Sequence, residues 1–528
     1  MKNHPVTFIF RAILPTTFIA TVGFLHAAEV HITVDTSSTV NTMRGGIGAS
    51  WHAIEKPIST TRDTVFKMHD HGGSGWGANP PAEDKAAWNQ IYRHASWLGM
   101  DFIRVELEQR MYEPRRKAFD WDNPEMRILY RILDWCQENN VDVFLTQMWS
   151  NVEWNAFPEF RDNPAHIVHS GPYSMDDFAE GLATCVEHLV KTKKYTCIRH
   201  LCITNEPCSR WSWWNKPPNV PMLLTPGLEA VRKALDKRGL DVPLIGPDTV
   251  FIPDPNSETI AYSDVKRGSP LLGAYDFHWY DDKFDFDGGG RVISSSVQRL
   301  AAWAKLARSE NKGLYVGELG TRAYGDTSDW SNPGVTSFPV SIFNAECVVR
   351  GIAVGVDGFN RWSFINRGDL DGQYQMIDTW DIKKKKLLTR FPPHANIYYV
   401  YGMLSRFTAK HSHVLSCQVE GGDIGKHRRV FAMALESPRR ALTLAVVNDA
   451  PKAWNLSVQL DGLKKPARLY RYEVSQKDAD LTDLTIEPEA DVEVSAENAI
   501  FSANISPMSL TIYTTYKLSH NEKGVIAE

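Results

Sequence analysis

The chain has 528 residues, of which 58 are Lys or Arg and 63 are Asp or Glu, giving a formal net charge of −5 at pH 7. This mild charge is spread along the chain, which excludes the concentrated basic surface of proteins that bind nucleic acid or anionic membranes. The length exceeds what one hydrophobic core usually supports, and it predicts a large domain and a smaller one.

The amino terminus has the pattern of a secretory signal peptide. Lys2 and Arg11 precede an apolar stretch, Ala12–Leu25, which ends in small residues at positions 27–28. The stretch is short for a membrane span, and no later segment offers the roughly 18 to 20 apolar residues that a spanning helix needs. We therefore predict that residues 1–28 are removed and that the protein is secreted or periplasmic, with no membrane association afterwards.

Eight short apolar or β-branched segments recur between longer amphipathic stretches, a pattern typical of strands alternating with helices around a parallel sheet. They are Arg44–Ser50, Phe102–Leu107, Val141–Met148, His200–Thr204, Leu244–Pro247, Ala274–His278, Gly313–Glu318 and Gly358–Phe364. Helices are predicted at Pro124–Glu138, opened by Asp122, Asn123 and Pro124 as a capping signal, and at Met175–Lys191. Eight such repeats over residues 44–408 predict an α/β fold, a (β/α)8 TIM barrel, rather than an open doubly wound sheet. No glycine-rich phosphate-binding motif follows any strand.

The pattern changes after residue 408 to alternating strands joined by turns. This predicts a C-terminal antiparallel β-sandwich over residues 409–518. The alternating segment at residues 29–43 is expected to add a strand to that sandwich. Residues 519–528 are polar and are predicted to form a flexible tail.

Two glutamates stand where a barrel carries its chemistry, at the carboxyl ends of strands. Strand four leads into Thr204-Asn205-Glu206-Pro207, and strand seven ends in Glu318 after an apolar run. Each alone could be a solvated loop glutamate. Two carboxyl groups facing each other across a barrel rim are what cleavage of a glycosidic bond requires.

The sequence indicates no metal or cofactor site. The seven cysteines include no CxxC pair and no regular spacing. His69, Asp70 and His71 are close in sequence, but two histidines without a strong third ligand seldom bind a metal.

Asn205-Glu206 on strand four and Glu318 on strand seven give the chain a resemblance to the clan A glycoside hydrolases over nearly the whole mature chain. The closing segment Ile-Ser-Pro-Met-Ser-Leu-Thr-Ile-Tyr is similar to the accessory domains of families 30, 39 and 51, and family 5 shares the barrel. The motifs do not single out one family. The resemblance implies a retaining hydrolase with Glu206 as general acid/base and Glu318 as nucleophile, their carboxyl groups about 5 to 5.5 Å apart.

The same resemblance assigns supporting roles to residues at other strand ends. Asn205 would bind the sugar hydroxyl next to the anomeric carbon, and Arg104 on strand two would support the nucleophile and hold it as an anion. Asp276, His278 and Tyr280 alternate along strand six, and His278 and Tyr280 are expected to touch Glu318.

Seventeen tryptophans are a high count, and many follow predicted barrel strands. Their rings could stack on the apolar faces of sugars or pack loops onto the barrel. Trp362 on strand eight would floor the sugar subsite, Trp149 would line the cleft, and the cluster of Trp211, Trp213 and Trp214 is the candidate leaving-group subsite.

These observations predict a secreted enzyme that hydrolyses O-glycosidic bonds, expected to be β, in a plant, algal or microbial polysaccharide or oligosaccharide. Two alternatives stay open. One is an arabinofuranosidase with the same two glutamates, and the other is a carbohydrate-binding relative that has lost turnover. The sequence does not predict the oligomeric state.

Overall fold

The structure is a computed structural model that describes residues 29–53, 79–161, 167–209, 212–256, 260–280, 291–320, 338–365, 374–381, 384, 386–478 and 486–525. The predicted signal peptide, the sequence His69–His71 and three of the tryptophans, Trp76, Trp211 and Trp330, lie outside the described residues. In the described part of the chain, no helix is both long and apolar enough to cross a membrane.

The strands, in chain order, are β1 (Glu29–Thr42), β2 (Ile47–Ala49), β3 (Trp51–His52), β4 (Phe102–Glu108), β5 (Asp142–Trp149), β6 (Ile198–Cys202), β7 (Asn215–Lys216), β8 (Val220–Pro221), β9 (Leu244–Thr249), β10 (Leu272–Tyr280), β11 (Gly313–Gly320), β12 (Gly358–Arg361), β13 (Trp380–Asp381), β14 (Lys386–Leu387), β15 (His413–Gly421), β16 (Asp423–Ile424), β17 (His427–Arg428), β18 (Val430–Glu436), β19 (Leu442–Asn448), β20 (Trp454–Asp461), β21 (Ala467–Ser475), β22 (Ala490–Val494), β23 (Ile500–Ile505) and β24 (Ser509–Thr514). The α-helices are α1 (Lys85–Leu98), α2 (Gln109–Tyr112), α3 (Pro124–Glu138), α4 (Pro158–Arg161), α5 (Met175–Glu187), α6 (Thr225–Lys237), α7 (Ile260–Gly268), α8 (Arg291–Ser309), α9 (Phe338–Val354) and α10 (Ala395–Phe407).

A parallel sheet in the order β2-β12-β11-β10-β9-β6-β5-β4-β3 forms the barrel. It closes because β2 pairs with β12 while β3, only one residue further along the chain, pairs with β4. The predicted (β/α)8 barrel is therefore confirmed. The predicted strand four ends two residues early, at Cys202, so that Glu206 lies in the loop beyond it, whereas strand five extends to Thr249.

Apolar and charged side chains form separate layers inside the barrel. The lower layer is an apolar plug of Phe102, Phe144, Cys202, Ile245, Ala274 and Tyr315. Two residues further along, β4 and β10 place the fully buried Arg104 and Asp276, and His278 follows on β10. Because alternate residues of a strand share a face, these two strands pass from the plug to a charged layer towards their carboxyl ends.

The predicted helix Pro124–Glu138 is present with the same bounds, as α3. The Asn123 side chain accepts hydrogen bonds from the main-chain nitrogens of Glu125 and Met126, and Pro124 occupies the first turn. The helix predicted at Met175–Lys191 ends as an α-helix at Glu187 and continues as a π-helical turn.

The carboxyl-terminal strands form a second sheet, in the order β22-β21-β24-β19-β18-β15-β1-β20-β23, which confirms the predicted antiparallel sandwich domain. β1 lies between β15, to which it is antiparallel, and β20, to which it is parallel. Val30, Ile32 and Val34 of β1 are fully buried in the sandwich core. The amino-terminal strand thus covers a row of backbone groups that would otherwise be a free edge.

The carboxyl-terminal segment up to residue 525, within the range for which a flexible tail is predicted, makes hydrogen bonds to the barrel. Arg406 of α10 donates hydrogen bonds to the carbonyl oxygens of Ser519 and Glu522 and accepts one from the nitrogen of Val525. Gly524 packs directly on Gly99, where a side chain would meet backbone atoms. The polar composition of the segment gave no sign of these main-chain contacts.

Candidate active site

The carboxyl ends of the barrel strands bring the two predicted catalytic glutamates together. Glu318 lies on β11, and Glu206 lies four residues beyond β6. One carboxylate oxygen of each lies within 4.8 Å of the other and of a ring nitrogen of His278. Glu206 and Glu318 are 7% and 4% exposed, so both carboxyl groups are largely shielded from water.

Glu318 is surrounded by hydrogen-bond donors. The Nη1 atom of Arg104 lies 2.7 Å from its Oε1 atom. The hydroxyl of Tyr280 donates to Oε2 at 2.8 Å, and Nδ1 of His278 lies 3.3 Å from the same oxygen. The structure thus places Arg104, His278 and Tyr280 around Glu318 as the sequence predicted.

Burial raises the pKa of Glu318 to about 7, although His278 and Arg104 oppose the shift. Proximity to Glu206 adds to the rise. We had expected Arg104 to keep this carboxyl ionised. The difference arises because a carboxylate loses more hydration in this dry layer than the two cations restore.

Glu206 is held through its side chain and its main chain. Its Oε1 atom lies 2.9 Å from Nδ1 of His278, and its main-chain nitrogen donates to the carbonyl oxygen of Asp248 at 3.0 Å. Its φ of 47° is in the left-handed region, which is uncommon for a residue other than glycine.

The amide of Asn205 is oriented by the same arginine that supports Glu318. Its Oδ1 atom accepts a hydrogen bond from Nη2 of Arg104 at 2.8 Å. The amide nitrogen is then the group left to donate to a ligand, which suits the predicted contact with a sugar hydroxyl.

Three residues that the sequence did not single out complete the charged layer. Asp248 on β9 contacts both Arg104 and His278, Glu106 pairs with Arg104, and His52 pairs with Glu106. A carboxylate directly after the apolar segment Leu244–Pro247 was the signal for Asp248. The predicted strand had ended one residue too early for that aspartate to be considered.

The two described tryptophans of the predicted leaving-group subsite are buried, and Trp211 lies outside the described residues. Trp213 and Trp214 have no exposed surface, and both rings pack edge-on against Phe178 of α5. The two indoles hold the loop after Glu206 against the barrel by packing on the apolar ring of Phe178. Their rings therefore cannot stack on a ligand in this conformation.

Trp149 and Trp362 stand at barrel strand ends, where they were predicted. Trp149 is the last residue of β5, and Trp362 directly follows β12, with its main-chain nitrogen bonded to the carbonyl oxygen of Leu319. They are 2% and 3% exposed, so both are almost entirely buried. A role for them in sugar binding stays a prediction.

The same cluster does not suit a metal ion. Glu206, His278 and Glu318, and likewise Asp248, Asp276 and His278, have ligand-type atoms close enough to surround a cation. However, both ring nitrogens of His278 already face carboxylate oxygens, and the guanidinium of Arg104 occupies the space between Asp248 and Glu318. A metal would have to displace protons and approach a fixed positive charge.

Comparisons with known proteins identify similar solved structures. No family profile matches the sequence, and no curated protein matches it. The catalytic domain of a GH30 xylanase C from Talaromyces cellulolyticus superposes with a TM-score of 0.57 at 12% identity, covering 92% of this chain and 99% of that one. An α-L-arabinofuranosidase from Thermotoga maritima gives 0.60 at 13% identity, covering 93% and 100%. A conserved exported protein from Bacteroides fragilis gives 0.62 at 10% identity, covering 92% and 99%.

At identities this low, the likeness establishes the fold. This chain has the barrel-and-sandwich fold of clan A glycoside hydrolases, as the sequence resemblance implied.

Proposed function

We propose that this protein is a retaining glycoside hydrolase that cleaves O-glycosidic bonds, with Glu318 as nucleophile and Glu206 as general acid/base. The observation that carries the proposal is the buried pair itself, with carboxylate oxygens within 4.8 Å of each other at the carboxyl ends of barrel strands. Inverting enzymes need about 6.5 to 9.5 Å between the two groups to admit a water molecule. That range refers to the two carboxyl groups as wholes, and the close approach of their nearest oxygens favours the retaining arrangement, in which Glu318 attacks directly.

In the first step, the Glu318 carboxylate attacks the anomeric carbon while the bond from that carbon to the leaving oxygen breaks. Glu206 gives its proton to the leaving oxygen and becomes a carboxylate. In the second step, Glu206 takes a proton from water, the resulting hydroxide attacks the anomeric carbon, and Glu318 is released as the anion.

Negative charge therefore moves from Glu318 to Glu206 in the first step and returns in the second. Nδ1 of His278 lies 3.3 Å from Glu318 and 2.9 Å from Glu206, so one N–H group can stabilise the charge on either side. Arg104 and Tyr280 both donate hydrogen bonds to Glu318, which supports their role in orienting the nucleophile. Preorganised donors of this kind require no rearrangement during the reaction.

The proposed substrate is a β-linked polysaccharide or oligosaccharide of plant, algal or microbial origin. An α-L-arabinofuranoside is the second candidate, because the arabinofuranosidase from Thermotoga maritima has a similar structure over its whole chain. The signal-like residues 1–28 support export of the protein.

The test is a screen of polysaccharides, aryl β-glycopyranosides and aryl α-L-arabinofuranosides, with the anomer of the first product followed by NMR. We expect initial release of the retained anomer. Glu318→Gln should abolish turnover of every active substrate, and Glu346→Gln, a buried glutamate on the outer helix α9, is the matched control that should keep it. If Glu318→Gln hydrolyses substrates as fast as the wild type, the catalytic site lies elsewhere. If the wild type binds carbohydrates without hydrolysing them, the protein is a carbohydrate-binding protein.

A further inference from the structure

Asp248 contacts several residues of the active site, and the proposed mechanism gives it no role. It lies on β9, is fully buried, and has a φ of 59° in the left-handed region. Its carboxylate contacts Arg104 and His278, and its carbonyl oxygen bonds the main chain of Glu206. It therefore touches residues from three other strands or their loops.

The main-chain bond joins two residues with unfavourable backbone conformations. The nitrogen of Glu206 donates to the carbonyl oxygen of Asp248 at 3.0 Å, and both residues have positive φ. Such conformations cost about 1 to 3 kcal/mol each and persist only where neighbouring contacts stabilise them. This bond fixes where the loop after β6 presents the carboxyl group of Glu206.

The side chain of Asp248 is an anion despite its burial. Burial alone would raise its pKa, but Arg104 and His278 hold that pKa well below its ordinary value. Its neighbour Asp276 behaves in the opposite way, because burial and the charge of Asp248 raise the pKa of Asp276 far above its usual range. Asp276 is thus a neutral acid that donates to Asp248, and the pair carries one negative charge.

Both ring nitrogens of His278 face carboxyl groups. Nε2 lies 3.1 Å from Oδ1 of Asp248, and Nδ1 faces Glu206 and Glu318. Ionised carboxylates only accept hydrogen bonds, so Nε2 needs a proton to bond the anion of Asp248, and Nδ1 needs one to bond the anion of Glu318. Burial opposes a charge on the ring, but Glu318 and then Asp248 raise the pKa of His278 well above its usual range.

Among the described residues, the other acid near Asp248 and His278 is Asp276, whose carboxyl oxygen lies within 4.8 Å of both, and it is the member of the aspartate pair that keeps its proton. Glu206 and Glu318 lie on the Nδ1 side, Asp276 and Tyr280 precede and follow His278 on β10, and Arg104 of β4 lies beyond Asp248 and Glu318. Of the described residues, Asp248 is the one with an oxygen that bonds Nε2.

We propose that Asp248 is the positioning residue of the catalytic pair: it holds His278 in the doubly protonated form that Glu206 and Glu318 share, and its main chain fixes Glu206. The kinetic part of this inference rests on the proposed glycosidase function. The ionisation of His278 does not depend on it.

Asp248→Asn removes the charge and keeps the shape. The amide can donate to Nε2, so the ring becomes neutral while Nδ1 keeps its proton. Glu318 then loses a cation in contact with it at 3.3 Å, whereas the lost aspartate charge lay on the far side of the ring. The anion of Glu318 is destabilised, so its ionisation moves to higher pH.

The kinetic test compares kcat/KM between pH 5 and 9 for the wild type, Asp248→Asn and Asp101→Asn. Asp101 is an equally buried aspartate that bonds Lys410 at the opposite end of the barrel. For Asp248→Asn we expect the acidic limb of the kcat/KM profile to shift to higher pH by at least half a pH unit. The kcat/KM value should fall at least tenfold at pH 6 and by a smaller factor at pH 8.5. Asp101→Asn should keep the wild-type limb. A uniform loss at every pH in Asp248→Asn would reduce Asp248 to a structural role and overturn the inference.

The second measurement needs no turnover, and its first part uses the wild-type residue at position 248. Histidine side chains labelled with ¹⁵N are followed by NMR from pH 5.5 to 8.5, and His278 is assigned by its absence in His278→Gln. In the wild type we expect its two nitrogens to show imidazolium shifts throughout. A neutral His278 at pH 7 would overturn the inference, and so would a ring that stays charged in folded Asp248→Asn. If the wild type hydrolyses nothing while His278 is imidazolium, the proposed function fails and the assignment of Asp248 remains.

Discussion

The hydroxyl of Tyr280 donates a hydrogen bond of 2.8 Å to Oε2 of Glu318, the carboxylate oxygen that Arg104 does not bind. The two donors come from different strands and hold opposite oxygens of one carboxylate. They therefore fix both its position and its rotation. A nucleophile must be aligned in this way before it can attack a carbon atom efficiently.

Tyr280→Phe removes this hydrogen bond and keeps the aromatic ring. A hydrogen bond to a charged group contributes about 1.5 to 3 kcal/mol, so we expect kcat/KM to fall about 10-fold to 100-fold. Tyr401→Phe is the matched control, because the buried hydroxyl of Tyr401 bonds the carbonyl oxygen of Gly48. Equal kcat/KM losses in the two variants, after correction for the folded fraction, would contradict the role of Tyr280.

Glu206→Ala removes the proton donor but leaves the nucleophile in place. Substrates with poor leaving groups need protonation and should lose about 10² to 10⁴-fold in kcat/KM, whereas activated aryl glycosides should lose far less in their first step. The measurement is a series of aryl glycosides of graded leaving-group pKa. A loss that does not depend on the leaving group would rule out Glu206 as the acid.

The pH dependence of the enzyme should reveal the burial of Glu318. Only the anion attacks, and burial raises the pKa of Glu318 to about 7, so kcat/KM should decline as the pH falls below 7. The check is kcat/KM against pH at constant ionic strength with an activated substrate. An acidic limb near pH 4.5 instead would mean that Arg104, His278 and Tyr280 outweigh burial.

The parts of this site that the sequence could predict are those that depend on strand periodicity. Glu318 follows the apolar run that predicts β11, and alternation along β10 places His278 and Tyr280 on one face. The contact between Asp248 and His278 depends instead on how far β9 extends and on a left-handed backbone at Asp248, which no periodicity encodes.

The direction in which the tryptophan rings point could not be predicted from the sequence. Trp213 and Trp214 follow a catalytic residue, as a subsite would, but their position in the chain does not tell which side of the loop their rings take. In the structure, both rings pack against Phe178 of α5. An indole after a barrel strand therefore predicts a sugar contact only when nothing apolar lies behind it.

Two buried carboxyl groups meet at the junction between the barrel and the sandwich. Glu346 of α9 and Asp449, which follows β19, are hydrogen-bonded to each other, and they pair with Arg350 and Arg429 respectively.

Burial and the charge of Glu346 raise the pKa of Asp449 well above its usual range, so the proton resides on Asp449 in the folded protein. A raised folded-state pKa gives stability that is complete below the unfolded pKa of about 4 and is lost as the pH rises through the folded pKa. An asparagine can donate the same hydrogen bond without titrating. Asp449→Asn should therefore become progressively more stable than the wild type as the pH increases, as measured by Tm from pH 5 to 9. The exposed Asp461→Asn is the control, and parallel Tm curves for Asp449→Asn and the wild type would show that the pair does not share a proton.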